Sequence, residues 1–161
     1  MPERAAAHQA CNQQQYGFTL LELLLVSAVM AIVSVIAYPH LTNIIDSLRL
    51  RSDALLLAQE MRAARTEAIM SQEARDIRFY QNSNYYQIIP SNRIINLSQG
   101  VRIHGTTFPD DKYFFVDRCR FQIDGSPEQG GNVCLVNNRG QKKYIIVNPI
   151  AYRIRVSDYP P

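Results

Sequence analysis

Glu22 is the costliest residue in this chain to place. It lies near the start of FTLLELLLVSAVMAIVSVIAY, residues 18–38, a run with no other formally charged side chain and no Gly or Pro. On an isolated helix in lipid such an acid costs about 2.5–3.5 kcal/mol at the centre and less near an end. An acid in that position calls for a cationic partner. A second set of residues could do a different chemistry. Between Gln129 and Ser157 there is no Asp or Glu, while Arg139, Lys142, Lys143, Arg153 and Arg155 contribute five positive charges. Arg153 and Arg155 are two apart and share one side of a strand. A few such contacts to phosphates give weak, salt-sensitive, sequence-independent DNA binding, with Tyr144 and Tyr152 available to stack on exposed bases. The plain alternative is a solvated strand face whose charges discourage edge pairing. Metal and catalytic chemistry have no comparable basis. His8, His40 and His104 are scattered, without a second ligand at a metal-binding interval, and no Gly-rich phosphate loop follows a strand. The expectation is a protein with no enzymatic activity, metal or cofactor.

The elements that must position these residues follow from composition and period. The chain has 161 residues, 47% hydrophobic and 19% charged, enough for one ordinary domain plus an appendage and too few for a large multidomain enzyme. A formal net charge of +3 is too small to imply a polyanion partner for the whole molecule, so any basic site is local. The apolar run, as a helix rising 1.5 Å per residue, matches a hydrocarbon thickness of about 30 Å and predicts a membrane span. It is longer than the apolar core of a secretory signal peptide, about 7–15 residues, and lacks a small-residue cleavage site. A plain anchor, the other simple reading, leaves Glu22 without a reason.

From His40 to about Ser71 the helical period continues. Leu50, Ala54, Leu57, Met61, Ala64 and Ala68 lie on one face, with charged residues mostly on the others, which predicts an amphipathic helix packed on a globular domain. The stripe is too short for a sustained coiled coil. Pro39 falls inside this helical run and predicts a kink. After about residue 75 the period becomes alternating. Strands are expected at 76–80 and 85–90 as a hairpin, at 93–97 and 101–104, and then at 118–124, 132–137, 143–148 and 152–157 as a sequential antiparallel meander. With no flexible linker, helix and sheet are expected to form one continuous body.

Gly17, Phe18, Thr19, Leu20, Leu21, Glu22 and Pro39 together resemble a type IV prepilin signal: a polar leader ending in Gly, then Phe-Thr-Leu-hydrophobic-Glu opening a long apolar helix, with a Pro further along. The resemblance covers about residues 14–45. It implies that a prepilin peptidase on the cytoplasmic face cuts after Gly17 and methylates the amine of Phe18. The physics is consistent: cleavage puts a positive amine four residues from Glu22, and an axial offset between filament subunits would let the amine of one meet the acid of the next. The alternative is a Glu22 that merely snorkels to the interface.

The rest of the chain has a looser likeness. Arg65-Thr66-Glu67-Ala68-Ile69 resembles the AR-x-EAI region of minor pilins of the GspH/FimT type. Phe121 to Pro127 followed by Gly130-Gly131-Asn132-Val133 is similar to their F-x-x-x-G-x-P…GG passage, and Tyr152-Arg153-Ile154-Arg155-Val156 to their closing G-R-x-R strand. The layout is also similar to competence pseudopilins. Tyr152 stands where that strand has Gly, which puts the local turn in question. In some DNA-uptake members of the group the R-x-R strand contacts DNA.

The resemblance therefore implies an α+β, pilin-like fold: a leader at 1–17, a transmembrane and assembly helix at 18–39, an amphipathic half-helix at 40–75, and an antiparallel β domain at 76–161. It implies a single-pass protein of the bacterial inner membrane, N-terminus cytoplasmic and β domain outside, that joins a pilus or pseudopilus with other minor pilins or pseudopilins as partners. The alternatives are a DNA-binding minor pilin that contacts double-stranded DNA, and an uncleaved single-span anchored domain. Removal of the leader takes Cys11 with it and leaves Cys119 and Cys134, which outside the cytoplasm could form one disulfide. If Asp124 faces Asn132, the two cysteines do not face each other, and two buried thiols are the competing expectation.

Overall fold

A computed structural model describes residues 18–161 apart from 112–115, and leaves aside the side chains of Pro39, His40 and Asp111. One helix, α1 (Leu20–Ser71), precedes nine strands: β1 (Arg75–Phe79), β2 (Tyr85–Ile89), β3 (Arg93–Asn96), β4 (Val101–Thr106), β5 (Asp110–Asp111), β6 (Val116–Phe121), β7 (Gly131–Asn137), β8 (Lys142–Asn148) and β9 (Arg153–Ser157). The chain divides into two compact units, the first ending at His40 and the second running from Leu41 to Pro161. The expected single body is thus two, and the second half of the helix belongs with the β domain. Pro39 lies inside α1.

In the first unit, α1 is long and apolar enough to cross a membrane, and the side chains from Leu20 to Tyr38 are exposed. Its two serine hydroxyls do not go unbonded in an apolar medium. Ser27 Oγ donates to the Leu24 carbonyl at 2.9 Å and Ser34 Oγ to that of Met30 at 2.7 Å, which meets the requirement that polar groups in lipid be satisfied internally.

In the second unit all six residues of the anticipated helical stripe are buried, and Ala58 joins them. They enter one core with Ile77, Phe79, Tyr86, Ile88, Ile103, Phe121, Leu135, Ile145 and Ile154, drawn from both sheets. At about 25 cal/mol per Å² of apolar area removed from water, this shared core is the main stabilising contribution. The helix ends where Gln72 adopts a left-handed φ of 54°, the usual way to stop a helix though here without Gly.

The strands form two antiparallel sheets, in the orders β3-β2-β1-β6-β5 and β4-β7-β8-β9. The hairpin β1–β2 and the run β7-β8-β9 match expectation. The predicted pairing of 118–124 with 132–137 does not occur. β6 instead lies against β1, with Asp76 directly across from Arg120, and the buried Asp76 carboxylate takes both Arg120 Nε (2.6 Å) and Nη2 (2.7 Å). The segment between β6 and β7 folds back on β6: Gln122 N donates to Ser126 O, Gly125 N to Gln122 O and Glu128 N to Arg120 O. Gly125 has φ 78°, and a Cβ there would come within 2.6 Å of Ile69 Cδ1 on α1. β7 then leaves for the second sheet, where its side chains are buried on both faces and it needs two neighbours, β4 and β8. The sheets are tied together where Asn82 N donates to Ile103 O and Ile103 N to Ser83 O, each at 2.9 Å.

Candidate functional site

The amino-terminal motif has a local architecture of its own. α1 starts at Leu20, and Thr19 caps it: the Glu22 backbone N–H donates to Thr19 Oγ1 at 3.2 Å and that of Leu23 to the Thr19 carbonyl at 3.2 Å. Thr19-Leu20-Leu21-Glu22 is a capping-box spacing, with Glu22 in the first turn, where the helix dipole favours an acid. Thr19 has a capping role that sequence reasoning passed over, although the Thr-x-x-Glu interval was there to read. Phe18 and Glu22 are both exposed. Gly17, and with it the anticipated cleavage point, lies outside the described residues.

The anticipated basic tract divides on folding. Arg139 is tied to α1, its Nε at 2.9 Å from Asp46 Oδ2 and its Nη2 at 3.1 Å from Thr42 Oγ1. Lys143 pairs with Asp158. Lys142, Arg153 and Arg155 form no ion pair among the described residues and remain on the surface. Strand alternation puts Ile154 in the core and Arg153 and Arg155 on the opposite, outer face of the second sheet. There Arg155 stands beside Ile146, whose other neighbour is Asn132 on β7, Arg153 beside Asn148, and Lys142 beside Val136, whose other neighbour is Arg102 on β4. Arg102 could not be found from sequence, because β4 and β7 pair across a long stretch of chain that contains two other strands. A cleft of about 580 Å³ opens at one end of this face, lined by Thr107, Gly131, Asn132, Asn148, Arg153 and Arg155.

Neither anticipated stacking tyrosine is simply free. Tyr152 is engaged by α1: Arg65 Nη1 donates to its carbonyl at 3.0 Å, and the guanidinium lies 5.4 Å from its ring centre. Its φ is 50°, the left-handed conformation that Gly adopts without strain, so the turn is kept although the residue differs from the pattern. Tyr144 stands across from Cys134 and Ser157. The proposed disulfide does not form. Cys119 is in β6 of one sheet and Cys134 in β7 of the other, and both are buried free thiols. Burial pushes the Cys119 thiol well above its usual range and keeps it neutral. Among the described residues no group of three or more His, Cys, Asp or Glu could hold a metal.

Comparison with known proteins bears on the amino-terminal motif and on the fold. Residues 12–38 match the family model described as the prokaryotic N-terminal methylation motif. The type II secretion system protein H of Xanthomonas campestris pv. campestris is 44% identical over 68 residues, covering 42% of this chain and 39% of that protein, so the match spans about two-fifths of the relative. The competence protein ComGD of Bacillus subtilis is 28% identical over 120 residues, covering 74% of this chain and 79% of that protein. Among solved structures, the minor pseudopilin EpsH from the type 2 secretion system of Vibrio cholerae superposes with a TM-score of 0.54 at 9% identity, over 68% of this chain and 96% of that one. The type IV minor pilin FimU of Pseudomonas aeruginosa gives 0.51 at 16% identity, over 67% and 87%.

Proposed function

We propose that this chain, which carries the prokaryotic N-terminal methylation motif on a pilin-like fold, is a minor pilin or pseudopilin subunit, cut after Gly17 by a prepilin peptidase and assembled with other pilins. The observation that carries the reading is the join between motif and fold: Phe18 to Glu22 open an exposed apolar helix that continues as the buried stripe of a β domain. The subunit is held in the bacterial inner membrane by that helix, N-terminus on the cytoplasmic side and β domain outside. Cleavage leaves a positive amine on Phe18 beside the helix N-terminus, and Glu22 of a neighbouring subunit supplies the counter-charge, so a cost in lipid becomes register in the filament. Pro39, which lacks one backbone donor, is where the helix accommodates bending. The test is intact mass of the protein extracted from its own host membrane. A mass beginning at N-methyl-Phe18 is expected; a full-length mass overturns the reading in favour of an anchored domain. Glu22→Ala should be cut normally and fail to enter filaments, whereas normal incorporation would remove Glu22 from assembly.

A second reading, a DNA-binding minor pilin of an uptake system, is favoured by the outer face of the second sheet, which carries Arg102, Lys142, Arg153 and Arg155. Double-stranded DNA would be held there through a few phosphates. Arg153→Ala combined with Arg155→Ala should abolish retardation of duplex DNA at low salt; retardation equal to that of the unaltered protein removes this reading.

A further inference from the structure

β9 is an edge strand, and its free side does not face open water. A groove of about 610 Å³ runs between it and α1, lined by Arg62, Arg65, Thr66 and Ile69 of the helix and by residues 151–154. Three of the lining side chains are arginines and none is acidic. Arg62 Nη2 donates to the Ile154 carbonyl at 2.7 Å and Arg65 Nη1 to the Tyr152 carbonyl at 3.0 Å. Ile154 lies in β9, and in a wider sheet its outward carbonyl would accept an N–H from the next strand; Tyr152 precedes the strand in a left-handed conformation and offers its carbonyl at the mouth of the same edge. The guanidinium groups occupy that role and are not used up by it. Arg65 Nε is buried without an acceptor, and none of Arg62, Arg65 and Arg153 forms an ion pair with a described acid. Ile69 and Ile154 add an apolar floor.

We propose that this groove receives an extended, carboxylate-bearing segment of a neighbouring protein, laid beside β9 as a further strand. Its N–H groups meet the Tyr152 and Ile154 carbonyls, and its carboxylates take over the arginine donors, a charge-assisted form of strand addition. A nucleic acid fits less well, because a phosphodiester has no donor to offer two outward carbonyls. The inference rests on the assembly reading for the identity of the neighbour, and its test is independent of leader processing.

The test uses the full chain in detergent micelles and a fluorescein-labelled heptapeptide of alternating Glu and Val, with the Gln-for-Glu peptide as control and a short DNA duplex as competitor. The acidic peptide should bind, should slow amide exchange at Ile154, and should lose affinity by about tenfold with Arg153→Glu, whose side chain forms no ion pair among the described residues. Equal binding of the Gln peptide, unchanged exchange at Ile154, or displacement of the peptide by DNA that itself requires Arg153 would each overturn the proposal. Should the charge-reversal variant fail to fold, the comparison of Glu and Gln peptides on the unaltered chain decides it.

Discussion

Arg65 on α1 and Tyr152, the residue before β9, meet twice: the guanidinium donates to the Tyr152 carbonyl at 3.0 Å and lies 5.4 Å from the centre of its ring. The two residues are 87 apart in sequence, and the backbone of the second is left-handed at φ 50°. The contact therefore holds a conformation that an L-residue adopts at a cost of about 1–2 kcal/mol.

That cost can be separated from the ring contact. Tyr152→Ala keeps the strain and loses the cation–π contact, worth about 0.5–1 kcal/mol at a surface site. Tyr152→Gly loses the same contact and relieves the strain, although the freer unfolded chain returns part of the gain. Thermal unfolding of the detergent-solubilised chain should rank the Gly variant above the Ala variant by about 0.5–1 kcal/mol. The reverse order would mean that Tyr152 is not strained.

Asp53 is buried on α1, and its carboxylate accepts the Ser98 backbone N–H at 2.8 Å and the Ser98 hydroxyl at 2.9 Å. Asp53→Ala strands two donors in the loop between β3 and β4. A loss of about 1–3 kcal/mol is expected by denaturant titration, with Asp53→Asn losing less because an amide oxygen still accepts. Faster amide exchange at Ser98 should accompany it.

Asp117 on β6 is buried and stands directly opposite Asp110 on the neighbouring strand β5. Burial raises its pKa first of all, the neighbouring Asp110 adds to the rise, and a hydrogen bond from Gln81 Nε2 at 3.0 Å opposes it. A carboxyl with a raised pKa binds more protons folded than unfolded. Its contribution is therefore present below the ordinary carboxylate range and is lost as pH climbs from about 4 through the raised value. Unfolding free energy compared between the unaltered chain and Asp117→Asn should show the difference shifting in favour of the variant across that window. Parallel pH profiles would refute the assignment.

How much of this was legible beforehand differs by region, for physical reasons. Residues 17–22 could be read because their chemistry is local: an acid in an apolar run states a membrane helix and its unpaired charge, although the cap that Thr19 provides three residues before it was passed over. The stripe from Leu50 to Ala68 was equally plain, since helical period is written in neighbouring residues. The hairpin β1–β2 and the run β7-β8-β9 follow from short turns.

What sequence order alone could not decide is which strands pair across long separations. Pairing β6 with β7 was reasonable from adjacency and wrong. Asp76 finds its charge partner in Arg120, 44 residues away, while β7, buried on both faces, requires neighbours on each side. The same non-local choices put Cys119 and Cys134 in different sheets and set Arg102 and Lys142 on either side of Val136. They also sent Arg139 and Lys143 to acids outside the basic tract and set Arg62 and Arg65 along the edge of β9. The sequence by itself determined the motif, the helix and the alternation of faces, because these depend on residues a few positions apart. The tertiary structure alone decided which charges remain free, because that depends on which distant side chains the core brings within bonding distance.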